Sequence, residues 1–226
     1  MFPITSWSFI LDGIFLSVFS YNRFREYGRT SNYVTGQYFF ASFYVSIAFF
    51  IYGLPSLITD DLKILPVFAG IALVTNAIGF TYFFLIPLNG WLRPRTYILA
   101  KYGLFLFVAT LAAVLIIIPP MTSFNAGIIH WRFGPIVGIL AAIQMDIAFM
   151  LNIILLRTHF YHLKQLSVLN AILLIITFTL AGLGGTYQYV GDSYPLLVLS
   201  SISLCVGIGA IFFSVIRGGI ARLFNQ

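Results

Sequence analysis

Residues 65–87 read LPVFAGIALVTNAIGFTYFFLIP, a run of 23 positions without a charged side chain. A helix needs about 20 consecutive apolar residues to cross the roughly 30 Å hydrocarbon layer of a bilayer. A soluble core helix rarely stays apolar on every face for that long. Outward from this stretch the pattern repeats. Apolar windows at about 4–21, 37–58, 65–87, 97–118, 134–156, 167–189 and 195–216 give seven candidate spans. They are continuously apolar rather than alternating, so helices are expected and a strand barrel is not. The expected fold class is all-α: one polytopic seven-helix membrane domain over residues 1–226.

Composition agrees. The 226 residues are 60% apolar and 8% charged, against about 25% charged in ordinary soluble domains. Cations concentrate in alternate connections: Arg23, Arg25 and Arg29; Arg93, Arg95 and Lys101; Arg157 and Lys164; Arg217 and Arg222. The intervening connections hold Lys63 and Arg132 beside Asp60, Asp61 and Asp192. Positive charge is retained on the cytoplasmic side during insertion, so the N-terminus is expected outside and the C-terminus inside. The location this implies is a cell membrane, the prokaryotic inner membrane, with the lipid bilayer as first partner. The net charge of +6 is scattered over four segments and forms no compact basic face, which excludes nucleic acid as a partner. The first apolar stretch lacks a basic n-region and reads as a retained first helix, not a cleaved leader.

Motifs narrow the chemistry mainly by exclusion. The last span contains no lysine for a retinal Schiff base. There is no G-x-x-x-x-G-K-[ST] loop, no H-E-x-x-H pair and no G-x-S-x-G elbow. No enzymatic activity, cofactor or metal is therefore expected. His159 and His162, spaced i, i+3, lack a third ligand nearby. Cys205 is the single cysteine and reads as a small apolar residue of the last span.

Polar residues inside spans are the candidate binding or coupling sites, because each is costly in lipid and needs a partner. Asp12 lies mid-span in the first helix, and Gln144 and Asp146 in the fifth. The two acids can be neutral hydrogen-bond donors, proton or ion sites, or ligand contacts. Asp146 and Asn152 stand 240° apart around a helix, so they share no polar stripe. Asn76 and Asn170 read as links between helices. Glycines at 134, 138, 182, 184 and 185 offer close helix contacts, and prolines 55, 66, 87 and 135 fall near span ends.

The longest outer connection, 119–133, begins with Pro119-Pro120 and ends in His130-Trp131-Arg132. It is expected to fold back over the bundle as a lid, with Trp131 on helix ends. An internal echo is also present. Asp12-Gly-Ile-Phe15 is followed by Arg23, and Asp146-Ile-Ala-Phe149 by Arg157, each eleven residues after the acid. A parallel duplication would set helices one to three and five to seven around a linking fourth. Chance agreement of so few residues is the competing reading.

The layout resembles the N-terminal seven-transmembrane sensor region of bacterial membrane histidine kinases. The resemblance rests on three features. The basic segment Arg23-Phe-Arg-Glu-Tyr-Gly-Arg29 precedes the aromatic second helix, Tyr38-Phe-Phe-Ala-Ser-Phe-Tyr44. A short acidic outer turn follows. Ile129-His-Trp-Arg-Phe-Gly134 precedes helix five. It implies a sensor or receptor-like protein that relays a signal to a cytoplasmic signalling protein or a membrane-complex partner. The sequence carries no output module of its own through Gln226. Two alternatives stand beside it: a small proton-coupled permease using Asp12 and Asp146, and a structural subunit of a membrane complex.

Overall fold

The computed structural model describes residues 4–59, 61–125, 128–160 and 168–216, with side chains at 5–59, 61–124, 128–155, 175–176 and 178–210. The expectations attached to Asp60, Arg157, His159, His162, Lys164, Asn170, Arg217 and Arg222 lie outside the described side chains.

The described chain is all-α apart from one hairpin. Its elements are α1 (Ile4–Thr30), α2 (Tyr33–Gly53) with a one-turn continuation α3 (Pro55–Ile58), α4 (Leu65–Trp91), α5 (Pro94–Ile117), strands β1 (Met121–Asn125) and β2 (Ile128–Arg132), then α6 (Pro135–Phe160), α7 (Val168–Val190) and α8 (Tyr194–Ile216). Among the described residues four helices are long and apolar enough to cross a membrane: Tyr33–Ile58, Leu65–Trp91, Pro94–Ile117 and Pro135–Leu155.

Local chemistry sets the helix ends. Asn32 caps α2, its Oδ1 accepting from the Thr35 amide at 3.2 Å, and satisfies a donor that no helical carbonyl can reach. Ser31, at φ 50°, turns the chain sharply between α1 and α2. Prolines open α3, α4 and α5, where a missing N–H costs nothing. One sequence expectation needs correction. The segment Arg23–Arg29 is no loop: α1 continues through it to Thr30, because arginine and glutamate are good helix formers. Pro87 falls near the end of α4, about one turn before Trp91.

The packing order is a closed ring. α2 stands between α1 and α4, and α7 between α6 and α8. The two three-helix groups meet along α1–α8 and α4–α6. α5 lies outside the ring, against α4 and one edge of α6. This is the arrangement a parallel duplication around a linking helix would give. The two acids do not follow it: Asp12 is set against α8, whereas Asp146 bonds to α7.

Small residues permit the close approaches. A Cβ on Gly184 would stand 2.7 Å from the Ser200 carbonyl oxygen of α8, and one on Gly138 2.6 Å from that of Tyr189 on α7. Close backbone approach of this kind, with a few buried hydrogen bonds, is how apolar helices associate where no hydrophobic force acts between them.

Candidate functional site

Between the ring helices lies an elongated cavity of about 120 Å³. Its wall is almost wholly apolar and largely aromatic. Phe9, Phe49, Tyr52 and Tyr189 line one end, and Phe83, Phe149 and Tyr38 the other. On α1 the wall runs from Phe9 to Arg23, fourteen residues, or about 21 Å at ~1.5 Å per residue. Inward-facing Phe residues stack edge to face: Phe83 and Phe149 at 5.7 Å between centroids, Phe80 and Phe149 at 5.5 Å. Rings in this geometry fix one another, which favours a preformed space over a collapsed one.

The connection 119–133, read as an irregular lid, is an antiparallel hairpin with Met121 opposite Arg132 and Asn125 opposite Ile128. Its backbone groups bond to each other and so need no water above an apolar cavity. Thr5, on the first turn of α1, holds it down. The Thr5 hydroxyl donates to the Ile129 carbonyl at 3.2 Å and accepts from the Ile129 amide at 3.1 Å. Trp131 is 3% exposed and packs on Tyr52 at 5.9 Å between centroids. With Phe133 it forms the cavity's roof. His130 is also buried, edge-on to Tyr194 at 6.1 Å, and burial lowers its pKa below the ordinary histidine value. Asp192 and the Gly191 backbone pull that value back up, and Arg132 lowers it further. The Arg132–Asp192 pair, at 3.4 Å, is largely exposed and adds little stability.

The remaining sequence candidates divide between wall and frame. Asn76 lines the cavity and donates to the Tyr189 hydroxyl, joining α4 to α7. Gln144 lies behind the wall. Its Nε2 donates to the Ala77 carbonyl at 3.0 Å and to Thr81 Oγ1 at 3.4 Å, tying α6 to α4. Asp146 accepts from Thr186 Oγ1 at 2.7 Å. Asp12 is fully buried with the weakly donating Cys205 thiol against it, and among the described residues neither carboxyl oxygen has a hydrogen-bond partner. Neither acid belongs to the cavity wall.

Two wall residues were not singled out from sequence. Gln188 donates through Nε2 to Ser200 and Ser201, each at 2.7 Å, and to the Leu197 carbonyl at 3.1 Å. Arg23, read as a loop cation, is 7% exposed and lines the cavity's far end from Trp131. A cation eleven residues past a mid-span acid, with Glu26 three residues on, was the available signal for a helix still turning inward.

No protein-family model, curated protein or solved structure matches this chain.

Proposed function

We propose that the protein is an integral membrane protein of seven spans, with its N-terminus outside, that senses a small, mainly apolar molecule held in the central cavity. The observation that carries this reading is the wall itself: six helices and β2 all contribute to one aromatic-lined space with a roof of Trp131 and Phe133. An apolar cavity of about 150 Å³ in a protein interior stays dry and takes up benzene-sized ligands. Filling this one changes what every ring helix packs against. Ligand occupancy would therefore shift the helix ends that a cytoplasmic signalling partner, or a partner within the membrane, contacts. The resemblance to kinase sensor regions points the same way.

A carrier is the second reading. It is favoured by the meeting of two three-helix groups around the cavity, since parallel repeats that flank a central site occur in transporters. The proton-coupled form is the weaker variant, because Asp12 and Asp146 stand away from the wall.

The test uses the full chain in lipid nanodiscs with naphthalene and decanol as probes. Saturable change of tryptophan fluorescence is expected, and it should vanish in Ala41→Phe, which fills the space from the α2 side. Sidedness is checked by cysteine reporters at Ser193 and Arg95 in a Cys205→Ala background, which should label from opposite faces. Labelling of both from outside removes the seven-span threading. Saturable uptake of the same probe into sealed vesicles would favour the carrier.

A further inference from the structure

We infer that the cavity is built for a single-chain apolar acid, with its carboxylate at Arg23 and its tail under Trp131. This rests on the apolar-cavity reading above and adds the class of ligand.

Arg23 is an odd member of an aromatic wall. It is more than nine-tenths buried, and its guanidinium lies over the Phe19 ring at 5.4 Å. Glu26 takes one amino group, Nη1, at 2.5 Å. Among the described residues Nε has no hydrogen-bond partner, although its atom is shut off from solvent. A guanidinium offers five N–H donors in a rigid plane, and a buried one left unpaired is costly. The Glu26 pair uses only one edge of that plane. The free edge belongs to a residue that lines the cavity. A planar oxyanion accepting from Nε is the chemistry that completes it, and a carboxylate matches the fork.

The rest of the wall dictates the tail. Beyond Arg23 the space continues past Phe83, Phe80 and Phe49 to Trp131 with few polar groups, Asn76 and Gln188 among them. Asn76 is engaged with Tyr189, and Gln188 with Ser200 and Ser201. Among the described residues, the other unpartnered polar atoms of the wall are the Asn76 Oδ1 and the Tyr52 hydroxyl, so the length between them and Arg23 is apolar. The wall runs about 21 Å along α1, the length of one extended hydrocarbon chain.

The experiment uses the full chain in nanodiscs, with Trp7→Phe and Trp91→Phe so that Trp131 is the remaining tryptophan. The probes are hexadecanoic acid brominated at its terminal carbon, the same acid brominated beside the carboxyl, and terminally brominated hexadecanol. Bromine quenches an indole it touches. The terminally brominated acid is expected to quench Trp131 saturably, and the head-brominated acid to leave it bright. The alcohol should bind roughly tenfold or more weakly, as should the acid to Arg23→Gln, while the alcohol's affinity for that variant stays unchanged. Arg23→Lys should recover part of the loss. Equal binding of acid and alcohol, with Arg23→Gln without effect, overturns the head-group assignment and leaves the cavity standing. Quenching by the head-brominated acid overturns the orientation. Saturable quenching by no probe overturns the cavity reading itself. If Arg23→Gln does not fold, the acid–alcohol difference and the bromine position decide the matter in the unsubstituted cavity.

Discussion

α4 and α5 are neighbours of similar length, both strongly apolar, and both able to cross a membrane. Yet α4 buries a face along its whole length, from Leu65 through Asn76 and Thr81 to Pro87, whereas α5 buries only Val108, Leu111 and Leu115. What separates them is small and polar residues. α4 carries Gly79, whose absent side chain lets Ala41 and Val45 of α2 come close, and Asn76 and Thr81, which reach α7 and α6. α5 carries Gly103 with open space beside it, and Thr110, which bonds to the Leu106 carbonyl of its own helix. In a membrane apolarity sets whether a helix enters, and packing chemistry sets where it sits.

The largest effect should come from crowding a ring contact. Gly184→Leu drives a side chain into the Ser200 backbone and should destabilise the protein by about 1–3 kcal/mol, read as a lowered thermal midpoint in detergent. Gly103→Leu on α5 should cost nothing measurable. Equal losses would erase the distinction between ring and outrigger.

A middle-sized effect is expected from the polar ties. Gln144→Ala removes the α6–α4 link and should cost about 0.6 kcal/mol, at most ~1.7. Thr110→Ala should stay within roughly 0.5 kcal/mol of the parent. A larger loss at Thr110 would mean that α5 is held by more than its apolar contacts with α4.

The smallest effect concerns pH at the hairpin. Burial holds the His130 pKa below its ordinary 6.5, so the unfolded chain binds this proton more readily. The contribution is fully present above about pH 6.5 and is lost as pH falls below it. The thermal midpoint should therefore drop on acidification, and His130→Gln should flatten that slope. An unchanged slope in the variant would show that His130 is not the group responsible.

How much of this was legible in the sequence follows from the same comparison. The helices were, because twenty apolar residues have few other homes; the expected 65–87 became Leu65–Trp91 and 195–216 became Tyr194–Ile216. The hairpin was not, since Met-Thr-Ser-Phe-Asn lacks strict alternation and its partner, Ile-Ile-His-Trp-Arg, is buried at four consecutive positions. Trp131 and Asn76 could be picked out as polar or amphipathic exceptions within apolar surroundings, and both line the cavity. Asp12, Asp146 and Gln144 stood out for the same reason but lie off the wall, Gln144 and Asp146 bonded to neighbouring helices, because a buried polar group looks alike in sequence whether it faces a neighbour or a void. Arg23 and Thr5 were hidden by their position near helix ends, where charged and hydroxyl residues are ordinary.

The proposed function depends on the ring, and its closure between the first and last described helices is the contact to measure. Cys205 is the chain's single cysteine and lies on α8 against Asp12 of α1. In Asp12→Cys, mild oxidation in the membrane should join the two thiols within one chain, seen as two halves that stay together after cleavage in the α5–α6 connection and separate on reduction. Thr110→Cys, on the outlying α5, should give no such product. Failure of Asp12→Cys to cross-link, or equally ready cross-linking from position 110, would contradict a closed ring and with it the central cavity.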